Sequence, residues 1–269
     1  MNYVLAFLGA GNIAEAIATA VLRSRTLPAG RLIASDPATA RRAVFAGLGI
    51  DTTESNATAA QSAEIVMLCV KPQMMASVLE EIAPVVDSSK LIVSVAAGIS
   101  TRYIADRLGK PVGSRVIRVM PNTPLLVGAG ATALCKGGGA SDEDLIRVRT
   151  LLQTASSVVE VTEDQMDAVT AVSGSGPAYF FFLVEQMIAA GAELGLSEQQ
   201  ARQLVYQTAF GAARMLQELP QSPAELRRRV TSPGGTTQAA MEVLESANVG
   251  KILREAIAAA WRRGRELGR

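Results

Sequence analysis

Histidine is absent from all 269 residues. Without it the chain cannot build a Ser-His-Asp triad, a Cys-His pair or nearly any catalytic zinc site. Its chemistry must rest on lysine, a carboxylate, a hydroxyl or a bound cofactor. Cysteine is almost as scarce. Cys69 and Cys135 are the only two, which makes neither a disulfide framework nor a zinc site. Cys69 lies within an apolar run and reads as a core residue. Aromatic residues are 4 % of the chain, while Ala and Leu abound, a balance that favours closely packed helices. No sign of charge dominates: 26 Lys and Arg face 25 Asp and Glu. That balance leaves no basic footprint for nucleic acid or an anionic membrane. Long apolar runs are missing too, so no stretch is suited to span a bilayer. The run Tyr3 to Leu8 is too short for a signal peptide and has no basic region before it. A soluble cytoplasmic protein is the expectation, with no nucleic-acid, membrane or metal partner. Hydrophobic residues make up 49 % of the chain, enough for a sizeable core.

What is present falls into two halves. The first alternates short apolar runs with segments of helical spacing. Strands are predicted at Tyr3–Leu8, Arg31–Ser35, Ile65–Val70, Leu91–Ser94 and Arg115–Met120. Helices are predicted between them at Asn12–Leu22, Thr39–Ala46, Met74–Ile82 and Thr101–Leu108. Unbroken apolar strands alternating with helices imply a mostly parallel, doubly wound sheet covered on both faces. Less regular strands at Ala131–Leu134 and Val158–Val161 flank a helix capped by Ser141, with acids in its first turn. From Glu163 strand patterns vanish. Helices follow at Glu163–Val172, Ala178–Gly195, Ser197–Gln217, Ala224–Val230, Thr236–Ser246 and Val249–Gly264. The expected division is therefore a Rossmann domain over residues 1–162 and an all-α domain over 163–269.

The first turn carries Gly9-x-Gly11-x-x-Ala14 between a strand and a helix, the context a dinucleotide fingerprint requires. Gly9 permits the tight turn, Gly11 lets backbone approach a pyrophosphate, and Ala14 keeps helix and strand close. Asp36 ends the second strand. It either hydrogen-bonds adenosine ribose hydroxyls, arguing for NAD, or simply caps the next helix. Ser35, Thr39, Arg41 and Arg42 nearby could accommodate a 2′-phosphate, so NAD and NADP both stay open. Val70-Lys71-Pro72 leaves the carboxyl end of a strand, where open α/β sheets bind ligands, and Lys71 faces either the cofactor or solvent. Ala96-Ala97-Gly98 places small residues at the next strand end. Asn122, between Pro121 and Pro124, is either a partner for a nicotinamide carboxamide or a turn former.

A second candidate lies in the helical half. Ser232-Pro233-Gly234-Gly235-Thr236-Thr237 is a hydroxyl-rich turn just before a helix. It offers backbone N–H groups and a positive dipole end to a carboxylate, or else merely caps that helix. Ser173-Gly174-Ser175-Gly176-Pro177 is either a tight helix connection or a pocket wall. Arg227-Arg228-Arg229 reads as a solvated face or an interface cluster.

Taken together, Phe7 to Ala14, Val70-Lys71-Pro72, Ser94 to Gly98, Met120 to Pro124, Ser173 to Tyr179 and Ser232 to Thr237 resemble the pyrroline-5-carboxylate reductase family. The blocks run in order from the first strand to the last helix. Ile13 departs from the family's common Met, and Asp36 stands at a position that varies within it. The resemblance implies reduction of 1-pyrroline-5-carboxylate to L-proline with NADPH or NADH, the last step of proline biosynthesis. It implies a Rossmann domain followed by a helical dimerisation domain, with homodimers interlocked through their C-terminal helices and often assembled into decamers. The cofactor would lie on Leu8, Gly9, Ala10, Gly11, Asn12, Ile13, Ser35, Asp36, Asn56, Cys69, Val70, Lys71, Pro72, Ala96, Ala97 and Asn122. Asn56 would lie near the adenosine ribose. The substrate would lie on Ser232, Gly234, Gly235, Thr236, Thr237 and Ser175, facing a nicotinamide held by the partner chain. The Thr237 hydroxyl is the expected hydrogen-bond partner of the ring nitrogen. A protonated cyclic imine is a ready hydride acceptor, so positioning matters more than a strong acid, which suits a chain without histidine. The competing expectation is a β-hydroxyacid-type dehydrogenase with a helical lysine as acid/base. The helix after Gly176 contains no lysine, and Lys251 is the only one after Lys136. A dinucleotide sensor without turnover would have no need of a second anion site.

Overall fold

The computed structural model describes residues 2–109 and 115–267. Packing divides the chain into two compact units: residues up to Ser175 together with those from Ala260 onward, and Gly176–Ala259. Among the described residues no helix is long and apolar enough to cross a membrane.

The first unit is built on an eight-stranded sheet. Its strands are β1 (Tyr3–Leu8), β2 (Leu32–Ser35), β3 (Asp51–Thr53), β4 (Ala63–Leu68), β5 (Leu91–Ser94), β6 (Val116–Met120), β7 (Gly130–Lys136) and β8 (Ser156–Glu160). They lie in the order β3-β2-β1-β4-β5-β6-β7-β8. All neighbours pair parallel except β6 and β7, which run antiparallel with Arg118 opposite Cys135. β1 sits at the switch point, with β2 on one side and β4 on the other. Alternation along β1 feeds two cores. Leu5 and Phe7 pack with Ala14, Ile17 and Val21 of α1 (Asn12–Arg23), Phe45 of α2 (Thr39–Gly47) and Val148 of α6 (Asp142–Leu152). Ala6 and Leu8 pack with Ala59 of α3 (Asn56–Ser62), Leu79 of α4 (Met75–Ile82) and Ile104 of α5 (Thr101–Leu108). Each large apolar side chain buried this way contributes about 1.5–3 kcal/mol.

Three features depart from the sequence-based expectation. β3 and α3 were not expected, because Asp51-Thr52-Thr53 is a polar edge strand without an apolar run. The strand expected at Ile65–Val70 is shifted to Ala63–Leu68, which leaves Cys69 and Val70 in the loop at its carboxyl end. The single helix expected at Glu163–Val172 is instead a 3-10 turn at Glu163–Gln165, a short α7 (Met166–Val169) and a π turn at Thr170–Gly174. The π turn is closed by the Ser175 N–H donating to the Thr170 carbonyl. Met166 packs under β7 against Ala133 and Cys135. Packing therefore joins this segment to the sheet, although composition turns helical at Glu163.

The second unit contains α8 (Gly176–Glu193), α9 (Glu198–Glu218), α10 (Pro223–Arg229), α11 (Thr236–Ser246) and the start of α12 (Val249–Leu267). α8 and α9 form a hairpin so close that a Cβ on Gly191 would lie 3.0 Å from the Ala201 Cβ. α9 and α10 open with reciprocal Ser–Gln and Ser–Glu capping boxes. Phe180, Phe181, Phe182 and Leu183 are consecutive on α8, so they point in every direction around it, and all are more than half exposed. A helix that is apolar all round belongs inside a larger core.

Candidate active site

The turn after β1 has the geometry its sequence requires. Gly9 takes φ +94°, a conformation disfavoured for residues with a Cβ, and a Cβ there would lie 3.0 Å from Val70 Cγ1. Gly11 differs. Its φ of −76° suits any residue, and a Cβ on it would meet nothing within 4 Å. Space stands over Gly11 on the outer side of the turn. No side chain caps α1 at Gly11. The first-turn N–H groups of a helix have no intrahelical acceptor, so they face that space with the positive end of the dipole. An uncapped helix start beneath an open glycine fits a pyrophosphate.

Around this turn the remaining expected residues fall as follows. Leu8 and Ala10 are fully buried and give their backbone to the turn. Asn12 and Ile13 form the first turn of α1, with Asn12 exposed. The Asp36 carboxylate accepts from the Ala10 N–H at 2.9 Å and from the Ala38 N–H at 2.9 Å. It is thus pinned against the glycine turn and bonds the residue just before α2, while α2 itself has no side-chain cap, which corrects the reading of Asp36 as a helix cap. Arg41 donates to the Ala10 carbonyl and pairs with Glu15 at 2.7 Å. Arg42 binds the Asp36 and Pro37 carbonyls and pairs with Glu54 at 2.5 Å. The Ser35 hydroxyl donates to Asn56 Oδ1, and Asn56 Nδ2 donates to Glu81, both at 2.7 Å. Asn56 begins α3 beside the end of β2, a placement that needs the unexpected β3.

Lys71 is exposed at the start of the 3-10 turn Pro72–Met74. Cys69 leaves β4 with its N–H on the Leu8 carbonyl at 2.8 Å. Burial pushes its thiol up out of the reactive range. Burial, followed by the charge of Glu163, pushes the Cys135 thiol up to about 12. Neither cysteine is a nucleophile at neutral pH. Ala96 is buried and Ala97 half-buried beyond β5. Asn122 is held by structure: its carbonyl accepts from the Ala131 N–H at 2.8 Å and its amide donates to the Ser173 carbonyl at 3.2 Å. These two bonds fit its alternative reading as a turn former. Ser175 is half-buried at the end of the π turn.

The second candidate anion-binding turn belongs to the second unit. α11 starts at Thr236 with Gly235 as its cap residue, and no side chain caps it. The Gly235 N–H donates to the Ser232 carbonyl at 3.0 Å, closing the turn. A Cβ on Gly235 would collide with Ser232 Oγ, so only glycine lets that hydroxyl lie against the helix start. The exposed Thr236 and half-buried Thr237 occupy the first turn of α11. Their N–H groups and the Ser232 hydroxyl form a donor set suited to one carboxylate. Gly234 is different. Its N–H donates to Gln238 Oε1 at 2.8 Å, so that group already has a partner within the turn. Sequence reading missed Gln238; a glutamine three residues beyond a helix cap was the available signal. Arg227 is exposed and pairs loosely with Glu245 at 3.5 Å, a surface contact.

One further charged cluster supports the first unit. Arg118 on β6 is almost fully buried and pairs with Glu163 at 2.8 Å and Asp167 at 3.6 Å. Burial raises the Glu163 carboxyl, but the Thr101 hydroxyl and Arg118 together hold it below the usual carboxylate range. Among the described residues no His, Cys, Asp and Glu cluster could hold a metal ion.

Residues 163–267 match the family model for pyrroline-5-carboxylate reductase dimerisation, and residues 4–98 match that for coenzyme F420-dependent NADP oxidoreductases. The chain is 44 % identical to the pyrroline-5-carboxylate reductase of Pseudomonas aeruginosa, over 98 % of this chain and 96 % of that one. Its structure is similar to that of a pyrroline-5-carboxylate reductase from Coxiella burnetii, with a TM-score of 0.91 at 36 % identity and full coverage of both chains. It is also similar to the Plasmodium falciparum pyrroline carboxylate reductase solved with NADP bound. There the TM-score is 0.90 at 29 % identity, covering 100 % of this chain and 99 % of that one.

Proposed function

The chain belongs to the pyrroline-5-carboxylate reductase family, and on that premise we propose that it reduces the C=N bond of 1-pyrroline-5-carboxylate to give L-proline, the last step of proline biosynthesis. The hydride comes from NADPH or NADH when bound. Gly9, Gly11 and the start of α1 hold the pyrophosphate, and Asp36 with Asn56 flanks the adenosine ribose. The observation that carries the reading is a pair of uncapped helix starts, at Gly11 and at Gly235, one in each unit. One suits a pyrophosphate and the other a small carboxylate.

The chain's own residues supply positioning. The Thr236 and Thr237 N–H groups and the Ser232 hydroxyl fix the substrate carboxylate, which sets the ring's orientation. The Thr237 hydroxyl hydrogen-bonds the ring nitrogen, holding the imine in line for hydride addition. The imine nitrogen takes a proton from water, so that hydride addition to the ring carbon gives a neutral secondary amine, which binds a further proton from water at neutral pH. No side chain of unusual acidity is required. The working form is a homodimer joined through the C-terminal helices, with dimers assembling further into a decamer. The exposed run Phe180 to Leu183 supports that association.

The test is spectrophotometric. Purified protein with 1-pyrroline-5-carboxylate should oxidise NADPH or NADH and release L-proline. Absence of turnover with either cofactor, alongside turnover of a 2- or 3-hydroxy acid, would overturn the reading.

A further inference from the structure

We propose that Gln238 is a positioning residue for the carboxylate-binding turn, with its amide set by Glu242; the proposal rests on the function given above. Gly234 takes φ +68°, a left-handed conformation that reverses the chain just before α11. Its N–H donates to Gln238 Oε1 at 2.8 Å, and Gln238 Nε2 donates to Glu242 Oε1 at 2.8 Å. An ionised carboxylate only accepts hydrogen bonds, so it fixes which end of the glutamine amide faces it. Glu242 holds Nε2, and the carbonyl end is left to receive Gly234. The three residues form a chain that runs from about two helical turns inside α11 back to the glycine turn.

The arrangement is half of a capping box. In the complete form, the side chain three residues into the helix bonds the cap residue's backbone, and the cap side chain bonds back to that residue's N–H. The complete form stands at Ser141/Asp144, Ser197/Gln200 and Ser222/Glu225. At α11 the glutamine is kept but reaches Gly234, and the cap position is a glycine with no side chain to bond back. The turn is therefore held from the outside, while the first-turn N–H groups stay available to a ligand. A neutral amide here also keeps negative charge one helical turn away, at Glu242. A glutamate at 238 would place that charge beside the incoming carboxylate.

Steady-state kinetics on Gln238→Leu, Gln238→Glu and Glu242→Ala test this. Gln238→Leu should raise KM for 1-pyrroline-5-carboxylate about fivefold, the effect of losing one such hydrogen bond. kcat and the KM for NADPH should stay within about twofold. Gln238→Glu keeps an acceptor for Gly234 but adds charge, so its KM should rise further. Glu242→Ala should raise the same KM in the unaltered background and have no added effect in Gln238→Leu, because both act through one amide. An unchanged KM for Gln238→Leu overturns the proposal, as does a parallel change in kcat and both KM values. So does full additivity of the two substitutions. These outcomes leave the functional reading intact. Failure of the unaltered enzyme to turn over 1-pyrroline-5-carboxylate overturns that reading first, and this proposal with it.

Discussion

Two glycines in one turn make opposite predictions when each becomes alanine. At Gly9 the φ of +94° places an added Cβ 3.0 Å from Val70 Cγ1 and 3.1 Å from the Cys69 carbonyl carbon. Forcing an L-residue into the left-handed region costs about 1–2 kcal/mol before those contacts are counted. For a chain of this size, that lowers Tm by about 2–8 °C. At Gly11 the backbone is extended and the added methyl meets nothing within 4 Å. Alanine is a poorer helix cap than glycine by about 0.5–1 kcal/mol. Against this, stiffening the unfolded chain restores about 0.4–1 kcal/mol. The two nearly cancel, so Tm should move by less than about 2 °C. The methyl of Gly11→Ala nevertheless fills the space assigned to the pyrophosphate. Affinity for NADPH or NADH should fall at least about tenfold, or about 1.4 kcal/mol. Thermal melts without cofactor, paired with cofactor titration followed by nicotinamide fluorescence, read both quantities. A Gly11→Ala protein that melts early, or that binds cofactor normally, would refute the assignment of that open space.

Three further outcomes are expected. Asp36→Ser removes the negative charge held against the Ala10 N–H. The ratio of kcat/KM with NADPH to that with NADH should rise about tenfold, an electrostatic effect of roughly 1.4 kcal/mol, while NADH efficiency falls. An unchanged ratio would leave Asp36 only as a brace for the glycine turn. Thr237→Ala should lower kcat/KM for the imine at least about tenfold, through the lost hydrogen bond to the ring nitrogen. Unchanged kinetics would reduce Thr237 to its backbone. The third concerns acid. Asp144 lies below the ordinary carboxylate range chiefly through its hydrogen bond to Arg115, and Glu163 lies below it through Thr101 and Arg118 acting against burial. A carboxyl lowered in the folded state stabilises above its unfolded value, and that contribution is lost as pH falls through the folded value. Stability measured by urea unfolding should therefore be flat near neutrality and fall below about pH 4. Glu163→Gln leaves the buried Arg118 with only Asp167, at a cost of about 3 kcal/mol. A Glu163→Gln protein as stable as the parent would contradict that pairing.

How far the sequence foretold this molecule depends on the kind of force that forms each element. Strands buried on both faces, such as β1 and β5, announce themselves because every position must be apolar. The parallel sheet and the first glycine turn followed from them. β3 gave no such signal. Asp51-Thr52-Thr53 is a sheet edge with few buried positions, held by its ladder to β2. Missing it hid why Asn56 lies beside Ser35. The π turn at Thr170–Gly174 escaped for another reason. Its register depends on Gly174 passing Met120, where a Cβ would come within 2.6 Å of the Met120 methyl, a contact between residues 54 apart. Local periodicity carries no record of such contacts.

The turn proposed for the substrate carboxylate shows the same limit at the level of single atoms. Composition around residues 232–237 marked the turn as an anion site, and Gly235 as cap fits that reading. It placed Gly234 in the turn beside Thr236 and Thr237 without separating their backbone N–H groups. Gly234 looked as available as Thr236 in the sequence. Only the path of Gln238 back across the first turn of α11 separates them. The donors left for a ligand are those that no side chain reaches. They exist because the cap position is a glycine rather than the Ser that opens α9 and α10. A serine at position 235 would supply the missing cap, yet its Cβ would also collide with Ser232 Oγ. The glycine thus does two things at once: it leaves the helix start open, and it brings the Ser232 hydroxyl close enough to join it.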